Sequence, residues 1–176
     1  MLSAGSVLGT GAFSQESKAR TASVTVHTEP SLTLEYDTSK EGIKEEGGEL
    51  KINVDVTASE TKSIAEAFTI VNDGSRSYDV SIEYTGYGTA VTGSPISEND
   101  VNDIFRIEES VSNDQLSPAG DSSTTTQMEL TPGDEIDVDL EIDTTAHTDD
   151  LIEYADNNNE DSFDILEEMT VEAINS

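Results

Sequence analysis

Residues 136–143 read IDVDLEID: Ile136, Val138, Leu140 and Ile142 alternate with Asp137, Asp139, Glu141 and Asp143. A period of two places alternate residues on opposite faces of an extended strand. The apolar face must then be buried against other structure while the carboxylates stay in water. The same alternation occurs where Leu50, Ile52, Val54 and Val56 are separated by Lys51, Asn53 and Asp55. Segments of this kind commit the chain to half-buried β-strands.

The rest of the chain reads mostly as β. Residues 21–28 alternate with Val24 and Val26 on one face, Glu29-Pro30 interrupts, and Leu32, Leu34 and Tyr36 resume the period. Residues 40–48, charged and glycine-bearing, read as a loop. Residues 65–71 lead into Asn72-Asp73-Gly74, a turn signal. Tyr78, Val80, Ile82 and Tyr84 follow, so residues 65–85 are expected to form one hairpin. Residues 86–102, with three glycines and Pro95, read as a long surface loop, and Ile104, Phe105 and Ile107 as a short strand. Residues 117–126 read as polar loop, Met128 and Leu130 as the approach to a turn at residues 131–134. A helical turn is expected at 149–155, a loop at 157–161 and a closing strand at 165–174. Eight or nine short strands with almost no helix predict an all-β, jelly-roll-like β-sandwich.

At 176 residues the chain holds one domain with a substantial core. It has no cysteine, which removes disulfides and thiolate chemistry. Only 8 Lys and Arg, five of them Lys, oppose 38 acidic residues, for a formal net charge of −30. The acids are interleaved with Val, Ile and Leu, which argues against a disordered acidic chain. At molar salt the Debye length falls to about 3 Å, so crowded carboxylates stop repelling and keep the surface hydrated. The composition therefore reads as that of a halophile's protein, and it disfavours nucleic acid or an anionic membrane surface as partner.

Against this acidity, residues 1–15 (MLSAGSVLGTGAFSQ) carry no charge. They are too short to span a bilayer as a helix, which takes about 20 apolar residues, so no membrane-spanning segment is expected. Gly5, Gly9 and Gly11 make the stretch poor helix material. Extended, it places Leu2, Ala4, Leu8 and Ala12 on one face and Val7 and Phe13 on the other. Ala12-Phe13-Ser14 also fits a small-x-small cleavage site after an apolar run, but no Lys or Arg precedes the run. The chain thus divides into an apolar N-terminal segment, residues 1–18, and a sandwich domain, residues 19–176.

Little in the sequence suggests catalysis. His27 and His147 lack motif partners nearby, no phosphate-binding, zinc-protease or nucleophile-elbow motif is present, and no carboxylate pair stands out among so many. No enzyme activity and no resident cofactor are expected. For Ca²⁺, Asp156, Asn158, Glu160 and Asp161 supply closely spaced oxygens, and Asp137, Asp139, Glu141 and Asp143 form an acidic strand face. The turn glycine and the twelfth-position Glu of an EF-hand loop are missing, so any such site is weak. With no Trp, a sugar-stacking platform is disfavoured. No Asn stands in an N-x-Ser/Thr sequon, while residues 122–126 could carry O-linked sugar.

The run Gly9-Thr-Gly-Ala-Phe-Ser14, a spacer and the Thr/Ser/Val strand at 20–26 resemble the start of a haloarchaeal secreted family. That family is related to the archaeal bundling pilins and the TasA/camelysin matrix-fibre proteins. Phe68-Thr-Ile-Val-Asn-Asp-Gly74, Leu130-Thr-Pro-Gly-Asp134, the strand ending Ile142-Asp143-Thr144 and the closing Val171-Glu-Ala-Ile174 extend the resemblance. It implies a secreted jelly-roll subunit of a pilus or biofilm-matrix filament. Copies of the chain would join head to tail, each N-terminal donor strand completing a neighbour's sheet, and such filaments can bundle. Leu2, Ala4, Val7, Leu8, Gly9, Ala12 and Phe13 are then the assembly residues. The alternative is a monomeric cell-surface sandwich binding Ca²⁺ or carbohydrate, its first residues folded into their own domain or left from a signal peptide.

Overall fold

A computed structural model describes residues 18–28, 32–92, 95–118, 126–158 and 163–175. The expected donor strand, with its assembly residues Leu2, Ala4, Val7, Leu8, Gly9, Ala12 and Phe13, lies outside the described residues. The alternating segments become β4 (Glu49–Thr57) and β9 (Glu135–Asp143). In β9, Ile136, Val138, Leu140 and Ile142 are all at most 5% exposed. At about 1.5–3 kcal/mol per buried aliphatic side chain, that face contributes roughly 6–12 kcal/mol gross.

The remaining strands are β1 (Lys18–Thr28), β2 (Thr33–Glu35), β3 (Ile43–Glu46), β5 (Thr61–Val71), β6 (Tyr78–Tyr87), β7 (Phe105–Glu109), β8 (Met128–Leu130) and β10 (Leu166–Asn175). Two sheets pack as a sandwich: six strands ordered β3-β4-β1-β10-β6-β8 and four ordered β2-β5-β9-β7. Pairing is antiparallel except between β1 and β10, which run parallel. The core lies between the sheets, where Val24, Leu50, Ile52, Ile82 and Met169 meet Phe68, Ile70, Val138 and Leu140.

Several expectations are corrected. Residues 40–48 contain β3, which pairs with β4 across Gly47 and Gly48, both at positive φ. Only Ile43 of β3 is buried, and its charged neighbours blunt a sheet edge. Residues 65–85 are not one hairpin, because β5 and β6 belong to different sheets. Asn72 explains the crossing. Its buried amide donates to Arg76 O at 2.8 Å and Leu130 O at 2.9 Å, and its carbonyl oxygen accepts from Gly74 N at 3.0 Å. Asn72 N reaches Asp134 O at 3.0 Å and Gly133 N reaches Asn72 O at 2.9 Å, so the 72–74 and 131–134 turns are stitched together.

The expected loop at 86–102 holds α1 (Thr89–Thr92) and α2 (Glu98–Ile104). Ser97 and Asp100 form a reciprocal capping box that starts α2. Val101 and Ile104 then pack into the core, too few residues for a helical period to be read. Likewise the expected helical turn lengthens to α3 (Thr148–Asn158), which buries Leu151, Tyr154 and Ala155 at helical spacing.

Candidate functional site

The two long sides of the sandwich differ. Beside β6 and β7 the chain at Leu116 bridges the sheets: its N–H donates to Ile107 O at 2.8 Å, and its carbonyl accepts from Ile82 N at 2.9 Å. The Leu116 side chain is fully buried. Tyr84 Oη donates to Phe105 O at 2.8 Å, with the two rings edge to face at 6.3 Å. Burial pushes the Tyr84 hydroxyl far above its ordinary pKa. This side is closed by main chain and aromatic packing.

On the opposite side β2 pairs with Thr69, Ile70 and Val71 of β5 and no further. Among the described residues, the outer edge of β5 from Thr61 to Ala67 has no strand partner. Three grooves open there. One of about 340 Å³ lies between β4 and β5, with Val54 and Ile64 in its wall. A second, about 330 Å³, lies between β2 and the adjoining ends of β1 and β4, lined by Val26, Leu32, Leu34, Tyr36 and Leu50. The third, about 310 Å³, runs past Tyr36, Lys40, Glu66 and Phe68.

A bulge interrupts β5 in this open side: Ile64 pairs with Leu140, but Phe68 pairs with Val138, so the intervening residues exceed their partners. Glu66 takes φ +48° within it. The bulge's polar backbone is satisfied from both flanks. Glu66 N donates to Asp139 Oδ1 at 2.7 Å, and Lys40 Nζ donates to Ala65 O at 3.1 Å and Glu66 O at 2.6 Å. Lys62 Nζ of β5 also donates to Asp55 O of β4. Lysine ammoniums, then, bridge this side where main chain bridges the other.

At one end of the open side the β4–β5 turn is locked onto β9. Glu60 Oε2 accepts from Thr57 N at 2.7 Å and Thr57 Oγ1 at 2.9 Å, and fully buried Thr144 receives Glu60 N at 2.9 Å. These Thr57 bonds hold the Glu60 carboxyl below its usual range; bonds from the Thr145 side chain and N–H do the same for Asp143. The first residue of β1, Lys18, pairs with Thr57. Lys18, the first described residue, thus stands beside this turn, whose strand β4 lines the 340 Å³ groove.

The acidic face of β9 is more engaged than a solvated face would be. Asp137 Oδ1 accepts from Thr69 Oγ1 at 2.7 Å, Asp139 Oδ1 from Ser110 Oγ at 2.5 Å, and Asp143 Oδ1 from Thr61 Oγ1 at 3.2 Å. Asp156 and Asn158 fall in the last turn of α3, two residues apart and so not facing each other; Glu160 and Asp161 lie outside the described residues. Among the described residues no group of three or more His, Asp or Glu is placed to hold a metal ion, and no helix is long and apolar enough to cross a membrane.

His147 does have partners that the sequence did not disclose. Its ring, 11% exposed, stands 3.7 Å from Asp100, 3.9 Å from Asp103 and 3.9 Å from Asp150. Burial raises the Asp100 carboxyl, but the Ser97 bonds and the His147 ring outweigh it, and the net shift is downward. The capping pair Ser97-x-x-Asp100 was the one available signal, since it marks the helix that brings Asp100 and Asp103 there.

No family model, curated protein or solved structure matches the chain.

Proposed function

We propose that this chain is a structural subunit of a secreted, extracellular filament, in which residues 1–17 of one copy lie along the open side of the next. The observation that carries this is the outer edge of β5 from Thr61 to Ala67, without a strand partner among the described residues and flanked by grooves at Ile64 and at Glu66. An extended peptide would satisfy edge hydrogen bonds and fill the grooves at once. Residues 1–17 extended reach about 55 Å at roughly 3.3 Å per residue, enough to pass from one copy to another. If about 500 Å² of apolar surface is buried, the gross gain is about 12 kcal/mol, before the cost of association. Head-to-tail insertion does not close on itself, so it produces a filament. On this reading the role is structural rather than catalytic, the sandwich is the jelly roll of the family it resembles, and neighbouring filaments can bundle.

The position of Lys18 beside Thr57 serves a rival equally well, in which the segment folds back into its own groove. Deleting residues 1–13 separates the two. A filament subunit should become a soluble, β-rich monomer that does not polymerise under electron microscopy in high salt. A deletion variant that still forms normal filaments refutes the donor role, and one whose monomer melts much lower favours the fold-back.

A further inference from the structure

Lys40 is one of five lysines facing 38 acidic residues, yet its ammonium is directed at main chain. It donates to two successive carbonyls, Ala65 O and Glu66 O, while the Glu66 carboxylate stands at 3.5 Å. Its side chain is 29% exposed. The loop carrying it is built to hold that position. Ser39 N donates to Asp37 Oδ1 at 2.9 Å, Lys40 N to Asp37 O at 3.1 Å, and Ile43 N to Lys40 O at 3.2 Å. Gly42 then turns at φ +84°, where a Cβ would meet Asn53 O at 2.7 Å, and its own carbonyl accepts from Asn53 N at 2.7 Å. The loop is thereby fastened to β4 while Lys40 reaches across to β5.

Lys40 thus sits over the β5 bulge, on two carbonyls of the stretch that has no strand partner among the described residues. We propose that Lys40 is a removable plug: it blocks the outer edge of β5 in the free subunit and is displaced when residues 1–17 of a second copy dock there. The inference rests on the filament reading. An edge left open would pair with any extended chain, and lysine on an edge strand is a known guard against that. Three rotatable donors on a flexible stem suit a guard that must leave, since water can solvate the released ammonium. The chain itself supplies the occupant: residues 1–15 carry no charge, and Lys18, where the described residues begin, pairs with Thr57 of β4, the strand that lines the groove adjoining Glu41 and Gly42 of the Lys40 loop.

The test is the assembly lag of the full chain, followed by light scattering after monomer is transferred to high salt. Lys40→Met keeps the stem and removes the donors, and should shorten the lag about tenfold, the factor corresponding to one charge-assisted hydrogen bond. Lys40→Arg keeps the donors and should show a lag equal to or longer than wild type. An unchanged or longer lag in a normally melting Lys40→Met protein overturns the proposal. Should that variant not fold, amine acetylation of the wild-type protein decides. Lys40 should be less reactive than exposed Lys44 in the monomer and rise to its level in the assembled form; equal Lys40 reactivity in both states overturns the plug. If deletion of residues 1–13 abolishes assembly while Lys40 reactivity stays constant, the plug alone fails. If the deletion variant assembles, the filament reading fails with it.

Discussion

Along the β6–β7 side, main-chain bonds through Leu116 and the Tyr84 hydroxyl tie sheet to sheet, with buried side chains between them. Along the β4–β5 side, the ties among the described residues include Lys40 and Lys62 ammoniums reaching carbonyls, over grooves of 310–340 Å³. Main-chain bonds inside a packed core are lost only when the core opens. Ammonium bonds at a surface can be exchanged for water at little cost. On the filament reading the two sides do different work, one keeping the sheets together and the other being rearranged.

Salt gives the largest test of this contrast. Dialysis from molar salt to about 0.1 M lengthens the Debye length from about 3 Å to about 10 Å, exposing the −30 charge to its own repulsion. Circular dichroism should report loss of the β signal. Hydrogen exchange taken before that loss should find Thr61–Ala67 opening ahead of Phe105–Glu109. Simultaneous opening of both would erase the distinction.

Leu116→Ala should come next, costing about 2–5 kcal/mol in chemical denaturation, as for other fully buried leucines. A cost below about 1 kcal/mol would mean the closed side is not what holds the sheets. Acid should act more gradually. The folded-state pKa values of Glu60 and Asp143 are lowered, so the protonated forms favour the unfolded chain. The stability they contribute is complete above the ordinary carboxylate values of 4.5 and 3.8 and is lost as pH falls through the lower folded values. Thermal melts of Glu60→Gln and Asp143→Asn should show a flatter acid limb than wild type, and an unaltered limb would assign acid sensitivity elsewhere. The smallest effect is expected from Lys62→Met, within about 1 kcal/mol, because its ammonium is partly exposed.

Strand content was legible wherever alternation was strict: β4 and β9 emerge at the expected residues, and β10 closes the chain as read. Connections were harder. Asn72-Asp73-Gly74 turns the chain in the same way whether it reverses within one sheet or crosses to the other. The contact that decides, Asn72 with Leu130, comes from 58 residues away. β3 and α2 were missed because four and seven residues are too few for a period to declare itself. The open side was invisible for a related reason. Lys40 reads as one charge in a charged loop until folding brings the β5 bulge beneath it. His147 is similar, with Asp100 and Asp103 lying more than forty positions away.

The central claim, that residues 1–17 of one copy lie along the open side of another, can be measured through a single covalent bond. The chain has no cysteine, so Leu8→Cys combined with Ser63→Cys, the latter lining the groove between β4 and β5, creates only one designed pair. After mild oxidation in high salt, non-reducing electrophoresis should show a ladder of dimers, trimers and longer species that collapses on reduction. A single, faster-migrating monomer band would mean that the segment occupies its own groove, and would contradict the account.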